Sequence, residues 1–174
     1  ADQPGTLVVD EEEIVEQAVV SGSTYASDEA KVPLLHVADR PGVAAAVFGP
    51  LADANVNVDM IVQSASPDGT TTDMTFTVSR GDLARVQTIV EQQREAIGFQ
   101  ECLTDGDIVK VSVIGVGMRS HAGVAQRMFA ALSDKGINIH AISTSEIKIS
   151  VLISAEYTEL AVRSLHSVYG LDAD

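Results

Sequence analysis

Aromatic residues are scarce in this 174-residue chain: four phenylalanines, three tyrosines and no tryptophan, 4% in all. Hydrophobic residues still make up 45%, so the apolar content is mostly Ala, Val, Ile and Leu. That is ample for a packed core and far above the disordered range. Small aliphatic cores suit thin α/β sandwiches with close helix–sheet packing. The length admits one ordinary domain or two small ones.

Basic residues are also few, 11 against 25 acidic ones, for a net charge of -14. Such a surface repels phosphate backbones and anionic headgroups, which argues against nucleic acid and membrane as partners. The acidic run Asp10, Glu11, Glu12, Glu13 reads as a solvated linker. The single cysteine, Cys102, rules out an internal disulfide framework and fits a reducing cytoplasm. With no companion motif it reads as structural instead of nucleophilic. No apolar run approaches the roughly 18 residues of a membrane span, and no signal peptide is visible. A start at Ala1 instead of Met predicts a trimmed or excised piece.

What the chain does contain is a repeat, which bears on every later reading. Gly42-Val43-Ala44 recurs as Gly123-Val124-Ala125, an offset of 81 positions. At the same offset Phe48 meets Phe129, Leu51 meets Leu132, Asp53 meets Asp134, Asn57 meets Asn138, Ile61 meets Ile142 and Ser64 meets Ser145. The chain therefore holds two copies of one module.

Each copy predicts the same order of elements. Residues 32–37 and 109–116 read as strands. Val43, Val47, Phe48 and Leu51, repeated as Val124, Met128, Phe129 and Leu132, form one stripe of a helix. Val56, Val58, Met60 and Val62 alternate over a strand at 56–63, mirrored less strongly by Ile137, Ile139, Ala141 and Ser143. Pro67-Asp68-Gly69 is a turn into a strand carrying Met74, Phe76 and Val78; residues 146–153 are its counterpart. Helices at 82–97 and 156–168 close the copies, and the first adds a short strand at 100–103. This is the ferredoxin-like βαββαβ order, an α+β fold of antiparallel four-stranded sheets with helices on one face. The second copy lacks its last strand. Residues 17–25 supply a candidate, which would insert the first copy inside the second and cover an open sheet edge.

No catalytic or metal constellation stands out. His36, His121, His140 and His166 share no ligand spacing. Gly115-x-Gly117 lacks the third glycine of a dinucleotide loop, and Gly49-Pro50 reads as a helix interruption. What recurs is the loop from first strand to first helix: Asp39-Arg40-Pro41-Gly42-Val43-Ala44, and Met118 through Ala125. A helix N-terminus offers unpaired N–H groups and positive dipole charge to a carboxylate, and glycine there admits close approach. Asp39 could hold an α-ammonium group; together these would suit a free amino acid. Capping offers a second explanation for Asp39 and Pro41, and for Ser120, and structural hydrogen bonding a second one for Asn57 and Asn138.

With these segments on the page, residues 31–171 resemble the paired ACT domains of aspartate kinases. The resemblance is carried by Asp39 to Ala44, Asn55 to Gln63 and Gly69 to Phe76, and above all by Lys110 to His121 and Ile142 to Ile153. It implies a join to a kinase domain at 1–16, a first ACT domain at 31–104, and a second from 17–30 plus 105–174. ATP and Mg would belong to the absent kinase domain, leaving this chain with no cofactor and no catalytic site. The resemblance also implies a cytoplasmic homodimer, working with an aspartate kinase catalytic domain or alpha subunit, that binds effectors between chains. One site would use Asp39, Arg40, Pro41, Gly42, Val43, Ala44 and Gln63, faced by Asn138, Ile139, Ser145 and Glu146 of the partner chain. The other would use Val124 and Ala125 with Asn57, Val58 and Asp59. Concerted-type members bind threonine in the first and lysine in the second. Ser64 departs from the commoner Gln-Asn-x-Ser pattern after Gln63. Two other classes compete: a free-standing ACT sensor, and a small ferredoxin-like acyl phosphatase, whose phosphate loop would have only Arg40 to offer.

Overall fold

The computed structural model describes residues 20–115 and 121–171. The expected linker at 1–16, residues 17–19 of the extra strand, and Val116, Gly117, Met118, Arg119 and the cap candidate Ser120 lie outside the described residues. The chain divides into two compact units. The first holds residues 26–110; the second holds the described residues up to Tyr25 and from Val111 onward. Two strands, β1 (Val20–Ala38) and β5 (Asp105–Gly115), pass from one unit into the other.

In the first unit β1 is followed by α1 (Val43–Asp53), β2 (Val58–Ala65) and β3 (Thr71–Ser79). A 3-10 turn (Arg80–Asp82), α2 (Leu83–Gln92), α3 (Arg94–Ile97) and β4 (Glu101–Cys102) complete it. The strand order is β2-β3-β1, with β4 paired to β1, and every one of these pairings is antiparallel. The alternating residues Val32, Leu34, Met74, Phe76 and Val78 are buried against Val43, Val47 and Leu51 of α1 and Val86 and Val90 of α2. Each such side chain contributes about 1.5–3 kcal/mol on burial. The Phe48 ring meets Phe76 edge-on, centroids 5.2 Å apart.

The second unit contains the end of β5, then α4 (His121–Asp134), β6 (Ala141–Thr144), β7 (Lys148–Ser154), a 3-10 turn (Ala155–Tyr157) and α5 (Thr158–Val168). Its strands run β6-β7-β5, with β1 beyond β5. Here the head of β1 meets β5: Ser21 Oγ donates to the Ile114 carbonyl at 3.3 Å.

The repeat extends to backbone detail. Asn55 and Gly136, 81 positions apart, both take positive φ, 59° and 71°. Immediately after them Val56 N–H reaches Leu51 O at 2.9 Å and Ile137 N–H reaches Leu132 O at 3.0 Å. Both helices therefore end in the same left-handed turn, which closes their last carbonyls.

Several expected boundaries move. Gly49-Pro50 does not interrupt α1, which runs through both residues. Proline inside a helix costs about 3 kcal/mol, but the buried Val47 and Leu51 on either side hold the helix together. The expected strands at 32–37 and 17–25 are parts of one strand among the described residues, since 26–31 are extended as well. The expected helix at 82–97 is broken at Gln93 into α2 and α3. The strand expected from Val56 starts at Val58, which leaves Asn57 in the preceding loop, and the one expected from Glu146 starts at Lys148.

Candidate functional site

The loop after β1 is a short, tightly specified turn. Val43 N–H donates to Arg40 O at 3.2 Å, and Gly42 between them has φ 88° and ψ -5°. Pro then Gly at the two central positions is the chemistry of a type II turn, whose third residue needs positive φ. Gly42, not Asp39, is the N-cap of α1. The expectation that Asp39 caps the helix is therefore corrected: the chain spends residues 40–42 on the turn, so Asp39 falls too early. Because the N-cap is glycine, no N-cap side chain satisfies the first-turn N–H groups, the place where a carboxylate would accept. Asp39, Pro41, Gly42 and Ala44 are exposed and Val43 is buried beneath them.

Two contacts hold this loop. Asp39 N–H donates to Thr70 O at 3.1 Å, and the Arg40 guanidinium donates to the Ala96 carbonyl at the end of α3. Arg40 is thus a strut between loop and helix, which removes the one candidate for a phosphate loop. The Thr70 side is rigid in turn. Asp68 accepts from Ser66 Oγ (2.6 Å), Thr70 N–H (3.0 Å) and Thr70 Oγ1 (2.8 Å). These bonds, Ser66 foremost, hold its carboxyl down at about 2.

Gln63 is exposed on β2, opposite Met74 of β3. Asn57 is exposed before β2, Val58 is half-buried, and Asp59 is exposed at a register shift between Val58 and Ile61. These residues and the Asp39 to Ala44 loop belong to the first unit. Val124, Ala125, Asn138, Ile139, Ser145 and Glu146 belong to the second. Val124 is buried in the first turn of α4, and its carbonyl accepts a hydrogen bond from the Tyr169 hydroxyl. Ala125 and Ile139 are half-buried, and Asn138 is exposed ahead of β6. Ser145 and Glu146 are exposed in the turn between β6 and β7, where Ser145 N–H donates to Lys148 O at 2.8 Å.

Sequence reasoning missed two features. Beside the turn at Asp68, a cavity of about 280 Å³ is lined by His36, Ser64, Ser66, Thr72 and Asp73, among others. His36 sits in a bulge of β1 with φ 54°, and its N–H donates to Asp73 Oδ1 at 2.9 Å. The other feature is a charge cluster of Glu29, Asp59 and Lys110. The Lys110 ammonium bonds Asp59 and lies 3.9 Å from Glu29. Burial, then the hydrogen bond and charge of Asp59, push the Glu29 carboxyl up to about 7, with Lys110 opposing. No local pattern announces either feature, since their members come from separate strands.

Cys102 packs half-buried against the core of the first unit. Burial pushes its thiol up, and the Glu91 carboxylate adds to the effect, so the reactive thiolate is disfavoured. Among the described residues, no three His, Cys, Asp or Glu side chains gather as a metal site. No described helix is long and apolar enough to cross a membrane.

Comparison with known proteins places this geometry. Two models, each described as an ACT domain, match residues 34–98 and 111–169. The chain is 54% identical over 172 residues to an aspartokinase of Pseudomonas aeruginosa, covering 98% of this chain and 42% of that protein. An aspartokinase of Corynebacterium glutamicum is 43% identical over 178 residues, again with 42% of its length covered. The chain thus spans about two fifths of the length of these relatives. Among solved structures it is similar to one of aspartokinase alpha and beta subunits (TM-score 0.80, 45% identity, 87% of this chain and 99% of that one). It is equally similar in fold to the ligand-free regulatory subunit of aspartate kinase from Thermus thermophilus (TM-score 0.80, 39% identity, 87% and 99%). Two matched ACT domains and near-complete coverage of a regulatory subunit lead to one conclusion: the chain belongs to the aspartokinase family, as the tandem ACT-domain regulatory part of such a kinase.

Proposed function

We propose that this chain senses free amino acids for an aspartate kinase, mediating feedback inhibition by threonine, lysine or both. The observation that carries the reading is the Gly42-capped start of α1. It is an exposed helix N-terminus with no cap side chain, next to the exposed carboxylate of Asp39. That pairing is suited to the two charged ends of an α-amino acid: N–H groups for the carboxylate, Asp39 for the ammonium.

In this reading the chain works as a homodimer through its ACT domains, with the first domain (31–104) inserted in the second (17–30 plus 105–174). One site uses Asp39 to Ala44 and Gln63, faced by Asn138, Ile139, Ser145 and Glu146 of the partner chain. The other uses Val124 and Ala125 with Asn57 to Asp59. Threonine is the expected occupant of the first and lysine of the second. Effectors bridge two chains and favour one dimer arrangement, and the differential affinity supplies a coupling of about 1–3 kcal/mol per effector. The catalytic domain or alpha subunit reads that arrangement, and ATP and Mg bind there.

Calorimetric titration with threonine, lysine and methionine, singly and in pairs, tests the proposal. Saturable threonine binding that lysine tightens, and that Asp39→Ala weakens at least tenfold, is the expected result. Silence with every amino acid, or threonine binding indifferent to Asp39→Ala, defeats it.

A further inference from the structure

Basic residues are scarce in this chain, 11 against 25 acidic ones, yet three of them line one groove of the second unit. The groove, about 680 Å³, runs between α4 and α5. Arg127 and, just past the helix end, Lys135 stand on the α4 side, and Arg163 on the α5 side. The one acid among the described lining residues is Asp134. The groove is thus locally positive on a chain whose net charge is -14. Lys135 and Arg163 are exposed, and among the described residues neither side chain has an ion-pair or hydrogen-bond partner.

These cations belong to the second copy alone. At the offset of 81, Arg127 and Lys135 correspond to Ala46 and Ala54. The 3-10 turns at 80–82 and 155–157 lie 75 positions apart, so Arg163 corresponds to Thr88. In the first unit the cation nearest the equivalent place is Arg85. Its guanidinium donates to the Ala54 carbonyl at 2.7 Å and pairs with Asp82 at 3.0 Å, so it is engaged in holding the end of α1. The same helix pair therefore packs in the first unit without the three charges. In the second unit only Arg127 has a visible scaffold role: it donates to the Val168 carbonyl and lies over the Tyr169 ring, 5.0 Å from its centroid.

The spacing of the charges selects their ligand. The contact of Arg127 with Val168 sets the start of α4 beside the end of α5, so the two helices run antiparallel. Lys135 is eight residues on from Arg127, about 12 Å along the groove. Arg163 is five residues before Val168, about 7 Å along it. A small anion would meet one cation at a time, and a single exposed ion pair contributes little. An opposing helix with carboxylates on successive turns, about 6 Å apart, reaches all three. Ala130 and Ala131 line the groove between the charges, and side chains this short let a second helix come close. Leu160 and Val168, both half-buried, add apolar contact near its two ends. Elsewhere the acidic surface repels such a helix, which confines it to this groove.

We infer that the groove between α4 and α5 docks an acidic helix of another protein, one with carboxylates on successive turns and small apolar side chains between them. The inference goes beyond effector binding and does not depend on it.

The probe is a fluorescent alanine-based helical peptide with glutamate at every fourth position, beside the same peptide with glutamine there. Both are titrated into the full chain and followed by anisotropy, and amide shifts map the contact. The variant Lys135→Ala with Arg163→Thr carries the residues of the first copy and leaves Arg127 in place; a melting curve verifies its fold. The glutamate peptide should bind wild type and shift amides in 126–135 and 160–168. The glutamine peptide on wild type, and the glutamate peptide on the variant, should each bind at least tenfold more weakly. Absence of binding, equal binding by the variant, or shifts confined to other segments overturns the inference. It is also overturned if pyrophosphate or free glutamate produces the same shifts with the same dependence on Lys135 and Arg163, since the groove would then be a small-anion site.

Discussion

Ser112 on β5 and Ser150 on β7 face each other with hydroxyl oxygens 2.7 Å apart, and both residues are buried. Each hydroxyl is the other's partner. Removing one strands its mate, which costs about 1–3 kcal/mol, whereas removing both can be nearly neutral. Ser112→Ala and Ser150→Ala should each lower stability by that amount in urea unfolding, and the double variant should recover most of the loss. Additive losses would mean that the pair is not a closed unit.

Gly42 and Gly49 open a contrast within one helix. An added Cβ would meet nothing within 4 Å at either, so sterics with neighbours decide neither case. Gly42 has φ 88°, and a side chain in that conformation costs about 1–2 kcal/mol. Gly49 lies inside α1, where alanine is better than glycine by about 0.5–1 kcal/mol. Gly42→Ala should therefore destabilise and Gly49→Ala stabilise, read as opposite shifts of the denaturation midpoint.

Asp39 caps nothing, so its loss is a test of function and not of fold. Asp39→Ala should change unfolding stability by no more than about 0.5 kcal/mol, as for other exposed positions without a special role. The same variant should bind threonine at least tenfold more weakly. A large stability loss would reassign Asp39 to the scaffold.

Leu51 and Leu132, equivalent in the two copies, are both fully buried. Leucine to alanine at such a site costs about 2–5 kcal/mol. Each substitution should loosen its own unit first, seen as faster amide exchange in residues 26–110 for Leu51→Ala and in residues 121–171 for Leu132→Ala. Uniform loosening across the whole chain in both variants would show one cooperative fold.

Glu29 gives the pH dependence of stability a definite sign. Its carboxyl moves from an ordinary 4.5 up to about 7 on folding, so the folded chain holds the proton more tightly than the unfolded one. The group's stabilising effect is complete below pH 4.5 and is lost progressively as pH rises to about 7, then stays flat. Glu29→Gln should remove that part of the slope and be more stable than wild type at pH 8, as followed by thermal melting across pH 5 to 8.

The repeat was legible from the residues because its cause is local. Val43, Val47 and Leu51 define a helix face through their spacing alone, and so do Val124, Met128 and Leu132; all six are buried. The turn at Pro67-Asp68-Gly69 was legible for the same reason, and so was the alternation through Met74, Phe76 and Val78. Pro50 was misread because propensity is a local penalty and the burial that overrides it comes from the sheet beneath. The continuity of β1 was hidden because Ser27, Asp28 and Glu29 carry no apolar alternation; pairing with β3, through Glu29 and Ser79 onward, keeps that stretch extended.

By itself, then, the amino-acid order determined a duplicated βαββαβ module and its helix and strand faces, since each depends on residues within a turn or two of one another. Tertiary structure alone decided that Gly42 and not Asp39 begins α1, that Arg40 braces Ala96, and that Glu29, Asp59 and Lys110 meet. Asp59 and Lys110 are 51 positions apart. No periodicity specifies such a meeting, because it follows from the order in which strands are laid side by side and from a one-strand irregularity that turns a carboxylate toward a buried ammonium.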